Sequence, residues 1–221
     1  LRGDRRWLAA VRARPGALPR LATAAVLLST NWLTYIWAVN HGHVVEAALG
    51  YYINPLITVA LGVAVLGEHL RRLQLVALGF GAAAVAVLTV AYGRVPWIAL
   101  VLACTFAGYG FLKKAVPVRA LALVATETLV LLPASLAGLL VLEARGDAAF
   151  LQGSAGRDLL LAGLGVITVV PLALFGAAAR RIPLSLLGLL QYLTPTLQLL
   201  CGAALPAAPL PPERLADVAL V

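Results

Sequence analysis

Seven long apolar runs, separated by short connections that hold most of the charged residues, dominate this chain of 221 residues. A helix needs about 20 mostly apolar residues to cross the hydrocarbon core of a bilayer, and each run is about that long. A soluble fold could not cover them, because 62% of the residues are hydrophobic and only 12% are charged. The sequence therefore predicts an all-α polytopic membrane protein with seven transmembrane spans, at 21–40, 46–66, 73–92, 95–112, 121–141, 159–179 and 184–205.

The basic residues outside these spans are unevenly distributed. Thirteen Lys and Arg precede the first span or follow the second, fourth and sixth, whereas four lie in the other connections. Short loops rich in Lys and Arg stay in the cytoplasm. We therefore expect residues 1–20 to form a cytoplasmic basic arm of a protein of the cell (inner) membrane. Because the basic residues are scattered over short loops, the net charge of +8 predicts no nucleic-acid partner.

A weak internal repeat appears when the sequence is shifted by 140 residues. The segment "LGYYINPLI" (49–57) then lies over "LLQYLTPTL" (189–197), which matches Tyr52 with Tyr192 and Pro55 with Pro195. The second and seventh predicted spans run in opposite directions, and inverted repeats are typical of secondary transporters.

The repeat predicts how the chain is divided. With five spans in each repeat, residues 21–92 would be the last three helices of one repeat and residues 95–205 the first four of the next. Residues 206–221 would form an external loop and the start of a final helix. We therefore expect the chain to be a fragment, at both ends, of a ten-helix inverted-repeat transporter.

Polar side chains gather in the first, second and seventh spans. They are costly in lipid and are expected to face protein or a water-filled cavity. In the second and seventh spans they stand just before Pro55 and Pro195, and a proline frees a backbone carbonyl one turn earlier. We predict a substrate-binding cavity that is enclosed by the first, second, sixth and seventh spans and lined by Asn31, Tyr35, Tyr52, Asn54, Gln191 and Tyr192. The alternative is a pair of kinks that serves helix packing alone.

Glu127 lies about seven residues, or roughly 10 Å, inside the fifth span. A buried carboxyl group can exchange a proton near neutral pH, so Glu127 is a candidate for proton coupling. A structural Glu that bonds to a neighbouring helix is the alternative. His41, His43 and Glu46 crowd the loop between the first and second spans and the start of the second span, where a polar helix cap with Glu46 in the first turn is favoured over a metal site. We predict neither a metal nor a cofactor.

Four segments carry a resemblance to a known family: "NWLTYIWAVNHGHVVEAALGYYINPL", "PWIALVLACTFAGYGFLKKAVPV", "ETLVLLP" and "ARRIPLSLLGLLQYLTPTLQ". The sequence from about residue 25 to 200 resembles the RarD branch of the EamA-type transporters, in the drug/metabolite transporter superfamily. The resemblance implies an inner-membrane permease of two inverted five-helix halves, in a family composed mostly of exporters. One departure is that the family usually repeats its Gly-Glu pair, here Gly67-Glu68, in the second half, where this sequence has Ala208.

These observations together predict a function. We expect a multi-pass secondary transporter that exports a small metabolite or drug by alternating access, with proton coupling as a further expectation. The alternative is a membrane scaffold or channel-like protein without active transport. An enzyme is not expected, because the spans contain no His or Asp cluster and no Ser/Lys pair, and the chain has no nucleotide-binding loop.

Overall fold

A computed structural model describes residues 11–116, 118–146 and 155–197, and of residue 157 the backbone alone. Within these ranges the chain is helical and contains no strand. The predicted all-α fold is therefore confirmed. The helices are α1 (Ala17–Asn40), α2 (Val44–Ala64), α3 (Arg72–Tyr92), α4 (Trp97–Ala115), α5 (Ala120–Arg145), α6 (Ala155–Arg181) and α7 (Leu184–Gln191).

Six of these helices, α1 to α6, are long and apolar enough to cross a membrane. The 21 residues of α2 rise about 32 Å, which matches the thickness of a bilayer core. The seventh predicted span, 184–205, is described only to residue 197. Within it α7 ends at Gln191, and a further helical turn follows at 193–197. The ten-helix inverted repeat and the division into repeats remain predictions.

Glycine and proline mark where the helices end or break. Gly93 stops α3 by adopting φ of 73°, a left-handed conformation that side chains disfavour, and its N–H bonds to the carbonyls of Thr89 and Val90. Pro55 lies inside α2, which continues through it. At the second proline of the repeat, Pro195, the helix is not continuous. It is interrupted at Tyr192, three residues before the proline. A proline at 195 cannot donate to the carbonyl of Gln191, which is where α7 ends.

The chain divides into two compact units. The first holds Leu1–Val26 and Leu112–Arg181, and the second holds Leu27–Phe111 and Ile182–Val221, so α1 and α4 each contribute to both. In the first unit α5 packs against α6. The beginning of α1 and the connection between α4 and α5 close one end of this unit through a buried cluster of Val11, Ala17, Leu21, Val116, Val118 and Leu123.

In the second unit α2 is the central helix. It packs most extensively against α7 and also contacts α3. A Cβ on Gly50 would lie 3.0 Å from the Cβ of Leu102 and 3.2 Å from the carbonyl oxygen of Ala99, so glycine allows α2 to approach α4 closely. Two apolar clusters join α2 and α4, and one of them includes the end of α1: Ala38, Ala47, Ile98 and Leu102, and Leu49, Ile53, Ala99 and Ala103.

The helix α3 exposes most of its apolar side chains and has no buried residue. Leu73, Phe80 and Val90 are 84%, 75% and 81% exposed. Soluble proteins rarely expose apolar surface on this scale. A span that meets lipid along its length accounts for this surface.

Candidate functional site

All six residues predicted to line the cavity belong to the second unit, on α1, α2 and the segment that begins with α7. The sixth predicted span corresponds to α6, which belongs to the first unit. Its share in a common cavity stays a prediction.

Asn54 and Gln191 are joined directly. The Asn54 Nδ2 donates to Gln191 Oε1 at 2.6 Å, and the Thr58 hydroxyl donates to Asn54 Oδ1 at 3.3 Å. Asn54 is the middle residue of α2, about 15 Å from either end, and is 7% exposed. The structure therefore places an amide–amide hydrogen bond between α2 and α7 halfway along a membrane span.

A glycine lets these two helices come together. A Cβ on Gly188 would lie 3.0 Å from the carbonyl oxygen of Pro55 and 3.1 Å from the Cβ of Thr58. These distances are too short for an unstrained side chain. The close approach of α7 to the part of α2 around its proline brings Gln191 within reach of Asn54.

Asn31 bonds elsewhere, to α4. Its Nδ2 donates to the Leu102 carbonyl at 2.8 Å and to the Thr105 hydroxyl at 3.0 Å. The Thr105 hydroxyl in turn donates to the carbonyl of Val101 at 2.6 Å. Thr105 was not among the predicted site residues, although a hydroxyl within an apolar run is a natural partner for a part-buried amide.

The tyrosines occupy different environments. The rings of Tyr35 and Tyr51 meet edge to face, with centroids 5.8 Å apart and planes at 76°. This arrangement is the one that aromatic quadrupoles favour. Tyr51, which was not among the predicted site residues, is therefore the partner of Tyr35, while Tyr52 is half-buried.

Tyr192 points its hydroxyl at the middle of α3. A Cβ on Gly81 would collide with this hydroxyl and would lie 2.7 Å from the ring carbon Cζ. The hydroxyl is buried and has no hydrogen-bond partner among the described residues. A buried polar group without a partner costs about 1–3 kcal/mol, so this hydroxyl is a place where a ligand could gain a hydrogen bond.

Glu127 is buried in the first unit beside Lys113. The Lys113 Nζ lies 3.1 Å from Glu127 Oε2, and the two side chains are 0% and 4% exposed. We predicted that the fourth span ends at residue 112 and counted Lys113 as a loop residue, which is wrong. The helix α4 continues to Ala115 and carries Lys113 inside the unit. Ionisable residues inside membrane spans often pair with one another, and this tendency was the signal that could have identified Lys113.

Glu68 caps a helix distant in sequence. Its two carboxylate oxygens accept the backbone N–H groups of Leu184 and Ser185, each at 2.7 Å, at the beginning of α7. A Cβ on Gly62 would lie 2.8 Å from Glu68 Oε2 and 2.9 Å from the Ser185 nitrogen, so glycine leaves room for this cap. Ala208, its counterpart in the predicted repeat, lies outside the described residues.

Glu46 performs a similar task at the other end of α2. It lies in the first turn of α2, as predicted, but its carboxylate also binds two other helices: Oε1 accepts the N–H of Ile98 at 2.9 Å, and Oε2 accepts the hydroxyl of Tyr92 at 2.6 Å. Arg94 donates to the Tyr92 hydroxyl at 2.6 Å. The carboxylate thus joins the beginnings of α2 and α4 to the end of α3.

His41 and His43 both stack on the ring of Trp37, with centroids 4.7 and 5.4 Å away. Among the described residues there is no group of three or more His, Cys, Asp or Glu that could hold a metal ion. The two imidazoles therefore belong to an aromatic stack next to the cap formed by Glu46.

Comparison with known proteins identifies the family. Residues 5–90 match the EamA-like transporter family. A protein RarD of Streptomyces exfoliatus is 49% identical over 215 residues, which make up 97% of this chain and 68% of the relative. This chain belongs to the RarD branch of the EamA-like transporters.

Two further relatives are also transporters by name or are named RarD. An uncharacterised transporter of Pseudomonas aeruginosa is 43% identical over 215 residues, 97% of this chain and 72% of the relative. Protein RarD of Escherichia coli K12 is 42% identical over 186 residues, 84% of this chain and 63% of the relative. No solved structure matches the chain. Membership of this branch and the six apolar helices make it a multi-pass protein of a bacterial membrane-transporter family.

Proposed function

We propose that this RarD-type chain acts in a secondary transporter that exports a small metabolite or drug by alternating access. The observation that carries the proposal is the hydrogen bond between Asn54 and Gln191, which lies halfway along α2 beside Pro55. Midplane polar groups at irregular helices are where secondary transporters bind their substrates. The basic N-terminal segment is cytoplasmic in this proposal, and the protein resides in the inner membrane.

The Tyr192 hydroxyl supports a substrate site at the same depth. It lies against Gly81, one residue from the middle of α3, just as Asn54 is the middle residue of α2. Both groups therefore lie near the bilayer midplane, where an exposed polar group is expensive. A substrate with a hydrogen-bonding group would satisfy the Tyr192 hydroxyl and would compete for the amides of Asn54 and Gln191. Asn31, Tyr35 and Tyr52 complete the proposed lining.

The buried pair of Lys113 and Glu127 supports proton coupling. Protonation of Glu127 would remove the attraction to a Lys113 ammonium only 3.1 Å away and almost without solvent exposure. An isolated buried charge is far more costly than a paired one. Proton binding at Glu127 therefore has to be accompanied by a change at Lys113, and this linkage can couple a proton to a conformational step.

The substrate class can be tested by comparing the metabolites that cells release. Cells that produce the chain, its Asn54→Ala variant or its Tyr192→Phe variant are compared with cells that carry an empty vector. We expect some compounds to accumulate outside only with the unaltered chain, and each variant to reduce their release about tenfold or more. Gly79→Ala is a matched control, because a Cβ there meets nothing within 4 Å. The same released metabolites from the unaltered chain and the empty vector would contradict export.

Coupling is tested on a compound identified in this way, in proteoliposomes with and without an imposed pH gradient. We expect the gradient to drive accumulation by the unaltered chain and Glu127→Gln to lose this dependence while it still inserts in the membrane. Equal, gradient-independent equilibration by both proteins would instead favour the channel-like alternative. Gradient-driven transport by Glu127→Gln at every pH would assign Glu127 a packing role.

A further inference from the structure

One end of the first unit concentrates positive charge. Here α5 begins, α6 ends, and the start of α1 packs on the connection between α4 and α5. Arg180 fastens the end of α6 to that connection by donating to the carbonyl oxygen of Val118. Five exposed arginines surround this end: Arg12, Arg14, Arg20, Arg119 and Arg181.

The described acidic residues of the first unit do not lie beside these arginines. The acidic residues described in the first unit are Glu127, Glu143 and Asp158. Glu127 is buried beside Lys113, and Glu143 and Asp158 lie near the opposite ends of α5 and α6. The guanidinium groups thus face solvent or headgroups rather than carboxylates of the described part of this unit.

The arginines are also held in place by their neighbours. Val11 and Ala17 are 2% and 3% exposed, whereas Arg12, Arg14 and Arg20 between and after them are exposed. Burying the apolar residues of the segment fixes the backbone that presents the charged ones. Guanidinium groups bind phosphate oxygens in a bidentate manner.

From this arrangement we propose that the basic end of the first unit binds the phosphate groups of anionic phospholipids, of which phosphatidylglycerol is the example. Because α5 and α6 are membrane spans, their ends lie at the level of the headgroups. The arginines come from three segments, namely residues 12–20, the beginning of α5 and the end of α6. Several lipid phosphates arranged in the headgroup layer match this distribution, whereas a single free phosphate ion would contact only part of it.

The test uses the purified chain in neutral detergent. Fluorescent short-chain phosphatidylglycerol is titrated against it, with phosphatidylcholine carrying the same label as the uncharged comparison. We expect phosphatidylglycerol to bind at least about tenfold more tightly, and this preference to shrink as salt is raised. Equal affinities for the two lipids, or a preference that salt does not change, would overturn the proposal.

The two arginines at the ends of α5 give a matched pair of variants, because both are exposed. Arg119→Gln, at the basic end, should weaken phosphatidylglycerol binding about fivefold, whereas Arg145→Gln should leave it unchanged. Combined replacement of Arg12, Arg14 and Arg20 by Gln should weaken it about a hundredfold. If Arg145→Gln weakens binding as much as Arg119→Gln does, the basic end is not the site. If inorganic phosphate displaces the lipid as effectively as unlabelled phosphatidylglycerol, the site is a general anion site and the lipid assignment is wrong.

Discussion

The backbone N–H of Ser185 donates to Glu68 Oε2 at 2.7 Å, although the two residues are 117 positions apart in the sequence. The adjacent N–H of Leu184 donates to the other carboxylate oxygen. Pro183, at the N-cap of α7, provides no side-chain hydrogen bond. The cap of this eight-residue helix therefore comes from the residues that follow α2, the helix against which α7 packs most extensively.

Replacing Glu68 tests this cap. Glu68→Ala removes both acceptors and should lower the free energy of unfolding by about 1–2 kcal/mol. Glu68→Gln keeps one amide oxygen and should cost less. Thermal unfolding of the purified chain in detergent measures both, with His69→Ala as the neighbouring control because His69 is exposed. A melting temperature for Glu68→Ala that equals that of His69→Ala would mean that the cap contributes nothing.

Two glycines of α3 should respond oppositely to the same change. A Cβ at Gly79 meets open space, so Gly79→Ala should be neutral or stabilising by up to about 1 kcal/mol through helix propensity. A Cβ at Gly81 would collide with the Tyr192 hydroxyl, so Gly81→Ala should be destabilising. Thermal unfolding ranks the two variants. Adding Tyr192→Ala should remove most of the difference between them, and a difference that persists would show that Tyr192 is not its cause.

Removing one charge of the pair formed by Lys113 and Glu127 should lower the free energy of unfolding more than removing both charges does. Glu127→Leu or Lys113→Met alone leaves a buried charge without this partner and should cost about 3–5 kcal/mol. The double variant removes both charges and should be close to the unaltered chain in stability. Unfolding measurements on all four proteins give the interaction energy. Additive losses in the double variant would contradict a direct interaction.

The predicted orientation is tested by labelling single cysteines with an impermeant maleimide in intact cells. Cys104 and Cys201 are first replaced by Ser, and one cysteine is then introduced in place of Arg119 or Arg145, at opposite ends of α5. We expect only Arg145→Cys to be labelled until the cells are opened. Labelling of Arg119→Cys in intact cells would reverse the topology and remove the support for a cytoplasmic N-terminal segment.

Much of the fold was predictable because the solvent is lipid. A bilayer requires a long apolar run for every crossing, so each span can be located from composition alone. The first span was predicted at 21–40, and the structure has a helix at Ala17–Asn40, with the same last residue. The same logic placed Asn54 and Gln191 among the candidate site residues, since both are amides in apolar runs before a proline. The structure joins them at 2.6 Å.

Contacts between helices that are distant in the sequence could not be predicted, because one apolar run does not indicate which other helix packs against it. Asn31 was predicted to line a cavity enclosed by the first, second, sixth and seventh spans, and its hydrogen bonds to α4 were not foreseen, because helical periodicity gives the face of a residue and not the neighbour on that face. The predicted fourth span ended three residues before the end of α4. This difference made Lys113 an exposed loop residue in the prediction, whereas in the structure it is the buried partner of Glu127. The cap from Glu68 joins residues 117 apart and leaves no local signal.

The burial of Lys113 and Glu127 on consecutive spans also bears on how the chain enters the membrane. On insertion scales an ionised residue inside a single span costs up to about 3 kcal/mol. The helices α4 and α5 are separated only by residues 116–119. Lys113 on α4 neutralises Glu127 on α5, and Glu127 neutralises Lys113. We therefore expect them to leave the translocon together as a helical hairpin that neutralises its charges before it meets lipid. In a cell-free insertion assay α4 should then integrate poorly on its own and efficiently when α5 follows it.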